Sequence, residues 1–437
     1  MKKGLKMKYV GNNILSEMLG KLNKRLIEKM ERDLMKNIFI TLLICIGVVG
    51  CSKKEAGPTM FRGNPQSTGV FQSKPVRSNP KIVWETPFLT LSSYPIIDQG
   101  VIYSSCYYGA KLIAVKIGHF YPERILWGTS SGFVLSKKKV FFFDPNGKLH
   151  ALNKKSWKEE WNFGEINDEN KFWFEPVIFN NTIYFGNENG FFFALDADTG
   201  EEKWKYATKG KGQTKAAIYK DKIFFGDDEF SYGLSLILNN KEYSSFINDS
   251  GNVYALNRIS GAVLWRFTIK NQYVLSNPMI LDNKLFFIGG DDLGLQDDKN
   301  KKRNFFLYAL DVEKGKELWK IKIEGLSGLA GAQKKIFLEG KDKNVYAVNT
   351  KNGAKEWCFH TQTNLSSYIS IANQTLYFGT EDNLLYAVDL ESGKEQWHIK
   401  LEGKVDSSPV IYNGALFLST RKEIGPQRDV YRFIMLK

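Results

Sequence analysis

The stretch Ala194-Leu195-Asp196-Ala197-Asp198-Thr199-Gly200-Glu201-Glu202-Lys203-Trp204 has five counterparts: Ala151 to Trp161, Ala255 to Trp265, Ala309 to Trp319, Ala347 to Trp357 and Ala387 to Trp397. Ala precedes Trp by ten positions in every copy, and Asp or Asn stands two after the Ala. Gly stands six after it at Gly200, Gly261, Gly315, Gly353 and Gly393, and Trp157 takes that place in the copy from Ala151. A looser copy, Ala114 to Trp127, is three residues longer. Self-similarity at one spacing marks a repeat architecture.

The residue types explain the spacing. Apolar runs around the Ala, such as Val253-Tyr254-Ala255-Leu256, predict a strand. Asp or Asn ends it, because its side chain bonds the turn backbone. Gly supplies the positive φ of a tight hairpin turn, and a second strand returns to Trp. The small Ala leaves room for a bulky ring. Two more strand-like runs precede each Ala, for example Ser276–Leu281 and Lys284–Ile288, so the unit is a four-stranded antiparallel sheet. One such sheet cannot bury both faces, but repetition around an axis lets each cover the next.

Boundary tryptophans fall at Trp84, Trp127, Trp161, Trp204, Trp265, Trp319, Trp357 and Trp397. After Trp397 come three strand-like runs without a fourth, near Ser408–Tyr412, Ala415–Thr420 and Val430–Leu436. Lys81-Ile82-Val83-Trp84 is a fourth strand without its first three. Joining them predicts an all-β, eight-bladed propeller over 81–437, its last blade closed by N- and C-terminal strands. The aromatic content of 14%, high for an ordinary globular chain, suits such large buried rings.

The N-terminus reads as an address. Residues 38–49 form a twelve-residue apolar run, too short for a bilayer span but suited to a signal peptide over 35–50. Gly50-Cys51 follows where polar chain begins, which predicts a lipoprotein processing site with Cys51 as the lipidated N-terminus and 51–80 as a polar tether. Residues 1–34 carry leucines and methionines at helical spacing among basic residues. They read as a start-site error, with translation from Met35, or as a basic surface helix. Residues 1–50 hold ten basic and four acidic residues, so cleavage before Cys51 takes the net charge from +14 to +8. On an exported chain that charge points to anionic lipid or envelope polymer and not to nucleic acid, and a solvated lysine-rich surface is the simplest explanation.

The Ala-x-Asp-x-x-x-Gly-x-x-x-Trp unit resembles the tryptophan-docking motif of quinoprotein-type (PQQ-like) β-propellers. Met60-Phe61-Arg62-Gly63-Asn64-Pro65-Gln66-Ser67-Thr68-Gly69 resembles the segment preceding their first blade. An exported, lipidated, eight-bladed member is similar in layout to BamB-type outer-membrane assembly lipoproteins. The resemblance implies a non-enzymatic, lipid-anchored scaffold for envelope proteins at the outer membrane, the β-barrel assembly machinery among them. A ligand-binding or sensor propeller and a degenerate quinone-dependent dehydrogenase are the alternatives. The family's dehydrogenases carry a vicinal Cys pair over the cofactor, and some a Cys-x-x-Cys-His haem site; neither motif occurs here, so no cofactor, metal or catalytic residue is expected. Cys106 and Cys358 fall in blades 1 and 6 and read as buried apolar side chains. The acidic run Asp227-Asp228-Glu229 reads as a solvated loop, and His119, His150, His360 and His398 are scattered.

Two units are long, 61 residues from Trp204 to Trp265 and 54 from Trp265 to Trp319. In both, the excess lies between the second and third strands, at about 228–249 and 291–304, which places both inserts on one rim in neighbouring blades. The first holds an apolar run with Tyr232, Leu234, Leu236 and Leu238; the second is basic, with Lys301 and Arg303. Loops built out from a rigid scaffold commonly bind, so these six residues are the candidate partner contacts. The anchor has its own test: palmitate labelling should disappear in Cys51→Ala, and labelling that persists contradicts the assignment.

Overall fold

The computed structural model describes residues 63–437 except 87–94, 107–110, 120, 128–131, 165–174, 188, 211–213, 239–240, 292–303, 326–327, 341 and 426–427. The side chains of residues 105, 106, 111, 127, 230–238, 241–249 and 428 also lie outside the description. All described residues belong to the compact unit Ala56–Lys437, and none is helical.

Eight antiparallel sheets follow one another as blades. Blade 4 shows the strand order: Ala217–Tyr219 is innermost, then Lys222–Leu238, Lys241–Asn257 and, outermost, Val263–Lys270. Blade 8 takes Val410–Tyr412, Ala415–Gly425 and Arg428–Leu436 from the C-terminus and Ile82–Thr86 from the N-terminus. Trp84 lies opposite Met435, and Lys81 and Lys437 exchange backbone bonds of 3.1 and 3.0 Å. The ring is thus closed by the two ends of the chain, as the orphan strands predicted.

The repeated residues meet in one row across each blade. Phe224 pairs with Ala255, and Ala255 with Trp265. The Ala is fully buried, and over its single methyl the Phe224 and Trp265 rings approach to 5.7 Å. Phe141–Trp161, Tyr184–Trp204, Phe286–Trp319, Phe337–Trp357 and Tyr377–Trp397 repeat this at 5.7–6.0 Å. A larger residue at the Ala would separate the two rings.

Each indole then reaches the following blade. Trp161, Trp204, Trp265, Trp319 and Trp357 donate their N–H to the carbonyls of Ala197, Arg258, Val312, Thr350 and Leu390 at 3.0–3.2 Å. Each acceptor directly follows the Asp or Asn of the next motif. The Asp196 carboxylate accepts the amides of Asp198 and Thr199, and Gly200 closes the turn onto the Asp196 carbonyl. Gly at the sixth position is required twice over. Its φ is positive, +65° to +79°, and a Cβ there would fall 2.5–3.0 Å from the indole of the preceding blade.

Blade 1 departs from this scheme on both sides. Lys116 stands where the other turns have Asp or Asn, and the buried indole nitrogen of Trp84 has no acceptor among the described residues. On the other side Trp157 adopts φ +58° in place of Gly, a conformation that costs about 1–3 kcal/mol for such a side chain, and stacks on Tyr103 of blade 1.

The expected tether, 51–80, is described from residue 63, and there it belongs to the propeller. The carbonyls of Pro65, Gln66, Thr68 and Gly69 accept backbone N–H bonds from Ile218, Ile280, Gly331 and Ile371. These donors are the middle residues of the innermost strands of blades 4, 5, 6 and 7. Val70–Phe71 adds a parallel strand to blade 7, and Ser73 accepts the Gly414 amide in blade 8. A second difference concerns Cys358, which is exposed because it follows Trp357 on an outermost strand whose alternate residues face solvent.

The docking geometry sets a comparison. Gly315→Ala places a Cβ 2.5 Å from the Trp265 ring, whereas at Gly118, in the irregular turn of blade 1, nothing lies within 4 Å. Both have positive φ, so both should lose about 1 kcal/mol. Gly315→Ala should lose roughly 1–3 kcal/mol more from the overpacked dock, measured by denaturant unfolding.

Candidate functional site

Each blade runs its second-to-third connection and its exit to the next blade onto one face, and the Asp-to-Gly turns onto the other. On the first face blade 4 differs from every neighbour. Its two central strands are 17 residues each. The outermost strand accompanies them only as far as Ser250, which pairs with Lys270. From Phe230–Asn248 to Leu238–Lys241 the pair continues as a two-stranded arm with no further strand beside it among the described residues, with irregular register at Glu229/Phe230 and Tyr232/Ser235. At about 3.3 Å per residue its eight further positions project roughly 25 Å.

Tyr232, Leu234, Leu236 and Leu238 all lie on this arm; Tyr232 pairs with Phe246, Leu236 with Tyr243 and Leu238 with Lys241. Their side chains lie outside the description, as do Lys301 and Arg303 in blade 5. Cys51 precedes the described residues. Of the boundary tryptophans, Trp127 is placed by its strand, Arg124–Trp127, alone.

At the root of the arm Asp227 and Asp228 are buried, where the sequence suggested a solvated loop. Asp227 accepts the Gly210 amide at 2.8 Å, the Tyr254 hydroxyl at 3.0 Å and the Asn252 amide at 2.8 Å. Asp228 accepts the Val274 amide of the next blade at 2.8 Å. Asn252 also donates to Glu229 and accepts from Thr268. The two carboxyl groups therefore tie the arm's root to the loops entering blades 4 and 5. Burial pushes Asp228 up to about 8 and raises Asp227 too, the latter against the pull of its hydrogen bonds. Glu339 of blade 6 repeats the device, accepting the Leu365 amide of blade 7, and burial pushes it up to about 7. No sequence signal distinguished these buried carboxylates, because their burial follows from loops packed across blades.

Nearer the axis the residues two before the inner strands of blades 3, 4 and 5 reach one another. Lys215 pairs with Glu175 at 2.8 Å, and Asn277 accepts the Lys215 amide at 3.0 Å. The entry loops are fastened by a hydroxyl twelve residues upstream of its donor: Thr214, Ser276, Ser367 and Ser407 accept the amides of Gly226, Ile288, Gly379 and Ser419 at 2.8–2.9 Å. The arm thus rises from a rigid floor.

The sequence profile of the family described as "Outer membrane protein assembly factor BamB" matches residues 82–271 and 341–430, and the chain belongs to that family. BamB from Moraxella catarrhalis superposes with a TM-score of 0.57 at 14% identity, over 82% of this chain and 97% of that one. A quinohemoprotein alcohol dehydrogenase from Comamonas testosteroni gives 0.62 at 12% identity, over 87% and 80%. At such identities the likeness is one of fold alone. Tetrathionate hydrolase of Acidithiobacillus ferrooxidans is 25% identical over 192 residues, 42% of this chain and 36% of its own length, so the chain spans about a third of that relative.

The dehydrogenase likeness raises the question of a quinone. The described residues around the axis do not fit one. The axial amides of blades 4–7 are engaged by the chain's own Pro65–Gly69, and Cys106 and Cys358 lie in separate blades. Among the described residues no group of three or more His, Cys, Asp or Glu is placed for a metal. His150 is held between Glu159 and Asp144 and stacked on Phe142; His398 bonds Glu395.

The root of the arm yields a pH test. A carboxyl group whose folded pKa lies above its unfolded value binds extra protons in the native state, so stability falls as pH rises from about 4 to about 8. Asp228→Asn keeps the acceptor for Val274 and removes the buried charge. Its melting temperature should exceed that of the parent chain increasingly from pH 5 to pH 8; an equal offset at both pH values contradicts the assignment.

Proposed function

We propose that this chain is a non-enzymatic, lipid-anchored scaffold of the bacterial envelope that holds partner proteins during outer-membrane protein assembly. The observation that carries the reading is membership of the BamB family combined with the arm, which extends one face of a rigid ring beyond the sheet that supports it. The lipobox-like Gly50-Cys51 supports attachment, with the propeller on the periplasmic side of the outer membrane. A scaffold needs a surface fixed in place and a projecting element a partner can grip. The buried carboxylates and hydroxyl staples provide the first, and the apolar arm the second.

In this reading Tyr232, Leu234, Leu236 and Leu238 make the apolar contact, and a few such residues carry most of the affinity. Lys301 and Arg303, on the neighbouring insert, speed association and make it salt-dependent. The double variant Leu236→Ser, Leu238→Ser should lose most partner recovery in crosslinking from native membranes, with the melting temperature nearly unchanged. A variant that melts several degrees lower and keeps its partners makes the arm a structural element and moves the search to the opposite face.

A further inference from the structure

The loop 63–71 is held like a ligand. Its contacts to blades 4–7 are main chain to main chain, one carbonyl per blade, from Pro65, Gln66, Thr68 and Gly69. The four donors occupy the same position in four successive inner strands, so the ring presents a track of amides facing the axis. The loop is also shaped in advance. The Asn64 side chain donates to the Thr68 hydroxyl at 2.7 Å and the Val70 carbonyl at 3.2 Å, and accepts the Thr68 amide at 3.2 Å. Gly63, Ser67 and Gly69 hold positive φ, and a Cβ at Gly63 would lie 2.7 Å from the Val70 carbonyl. Phe71 and Val76 then bury themselves in the cluster shared with blades 7, 8 and 1. The link to the first strand of the fold, residues 77–79, is exposed. Carbonyl-reading amides, a preorganised loop and two apolar anchors are the parts of a peptide site that works by strand addition.

We infer that the axial face of blades 4–8 is a peptide-binding site, specific for a Gly-Asn-Pro-type loop followed by an extended apolar segment, and that its resident ligand is the chain's own residues 63–76. Because the bonds are to backbone, selectivity comes from the loop's ability to adopt its bend and from the Phe71 and Val76 anchors. The site takes the segment whether or not it is covalently joined to the first strand. It is independent of the arm and of any partner bound there.

The test uses the full chain with a protease site replacing residues 77–79, which leaves the closing strand Ile82–Thr86 in the propeller. After cleavage the N-terminal fragment should co-elute with the propeller and exchange saturably with a fluorescent synthetic peptide of residues 63–76. The same peptide with Asn64→Ala should compete roughly tenfold less well, since the bend must then be ordered on binding. A fragment that separates at once, from a propeller that keeps its melting temperature and takes up no peptide, overturns the inference. Should the cut chain unfold, hydrogen exchange on uncut Asn64→Ala decides. The amides of Ile218, Ile280, Gly331 and Ile371 should lose protection together by about tenfold while those of Trp84 and Met435 keep theirs; unchanged protection at the four amides overturns it.

Discussion

The fold depends on an indole laid over a glycine. Each of the five docked tryptophans covers a turn of the following blade and donates to the carbonyl beside it, and this contact recurs from blade to blade where the other polar links between blades do not. The neutral hydrogen bond contributes about 1 kcal/mol, and the larger share comes from burying a ring of this size. The contact is directional, because the glycine's missing Cβ, the turn-closing carboxylate and the indole N–H fit only in one register. Five repeats of that register fix the angle between successive blades.

From that constraint follow both the closure and its weak point. A ring of blades must end where it began, and here it ends on strands from the two termini of the chain. The joint into blade 1 lacks the asparagine-type turn and leaves the Trp84 nitrogen without an acceptor among the described residues. A buried orphan donor costs about 1–3 kcal/mol, so this is the least favourable of the described docks. The axial segment 63–76 cross-links the inner strands of blades 4 to 7 and a turn of blade 8, and its Phe71 and Val76 share a core cluster with Trp84 at this joint.

Much of this was legible in the residue pattern, because the Ala, Asp, Gly and Trp positions each answer a local steric or hydrogen-bonding need. The axial role of Gly63–Val76 was not legible: its partners are carbonyl-to-amide bonds hundreds of residues away, which leave no side-chain signature. Asp227 and Asp228 misled for a related reason. Their charge suggested solvent, whereas loops from two neighbouring blades bury them. The length of the blade 4 insert announced an excursion, and the register added that it is a ribbon of the second and third strands running beyond the outermost strand, Val263–Lys270.

The decisive measurement is a double-mutant cycle across one dock. Trp204→Phe removes the indole N–H and part of the ring, and Gly261→Ala places a methyl 2.8 Å from where that ring sits. If the dock couples the blades, the two substitutions interact by more than about 1 kcal/mol in denaturant unfolding, as contacting residues do. Strictly additive losses would mean that the indole and the glycine act separately, and would contradict the account.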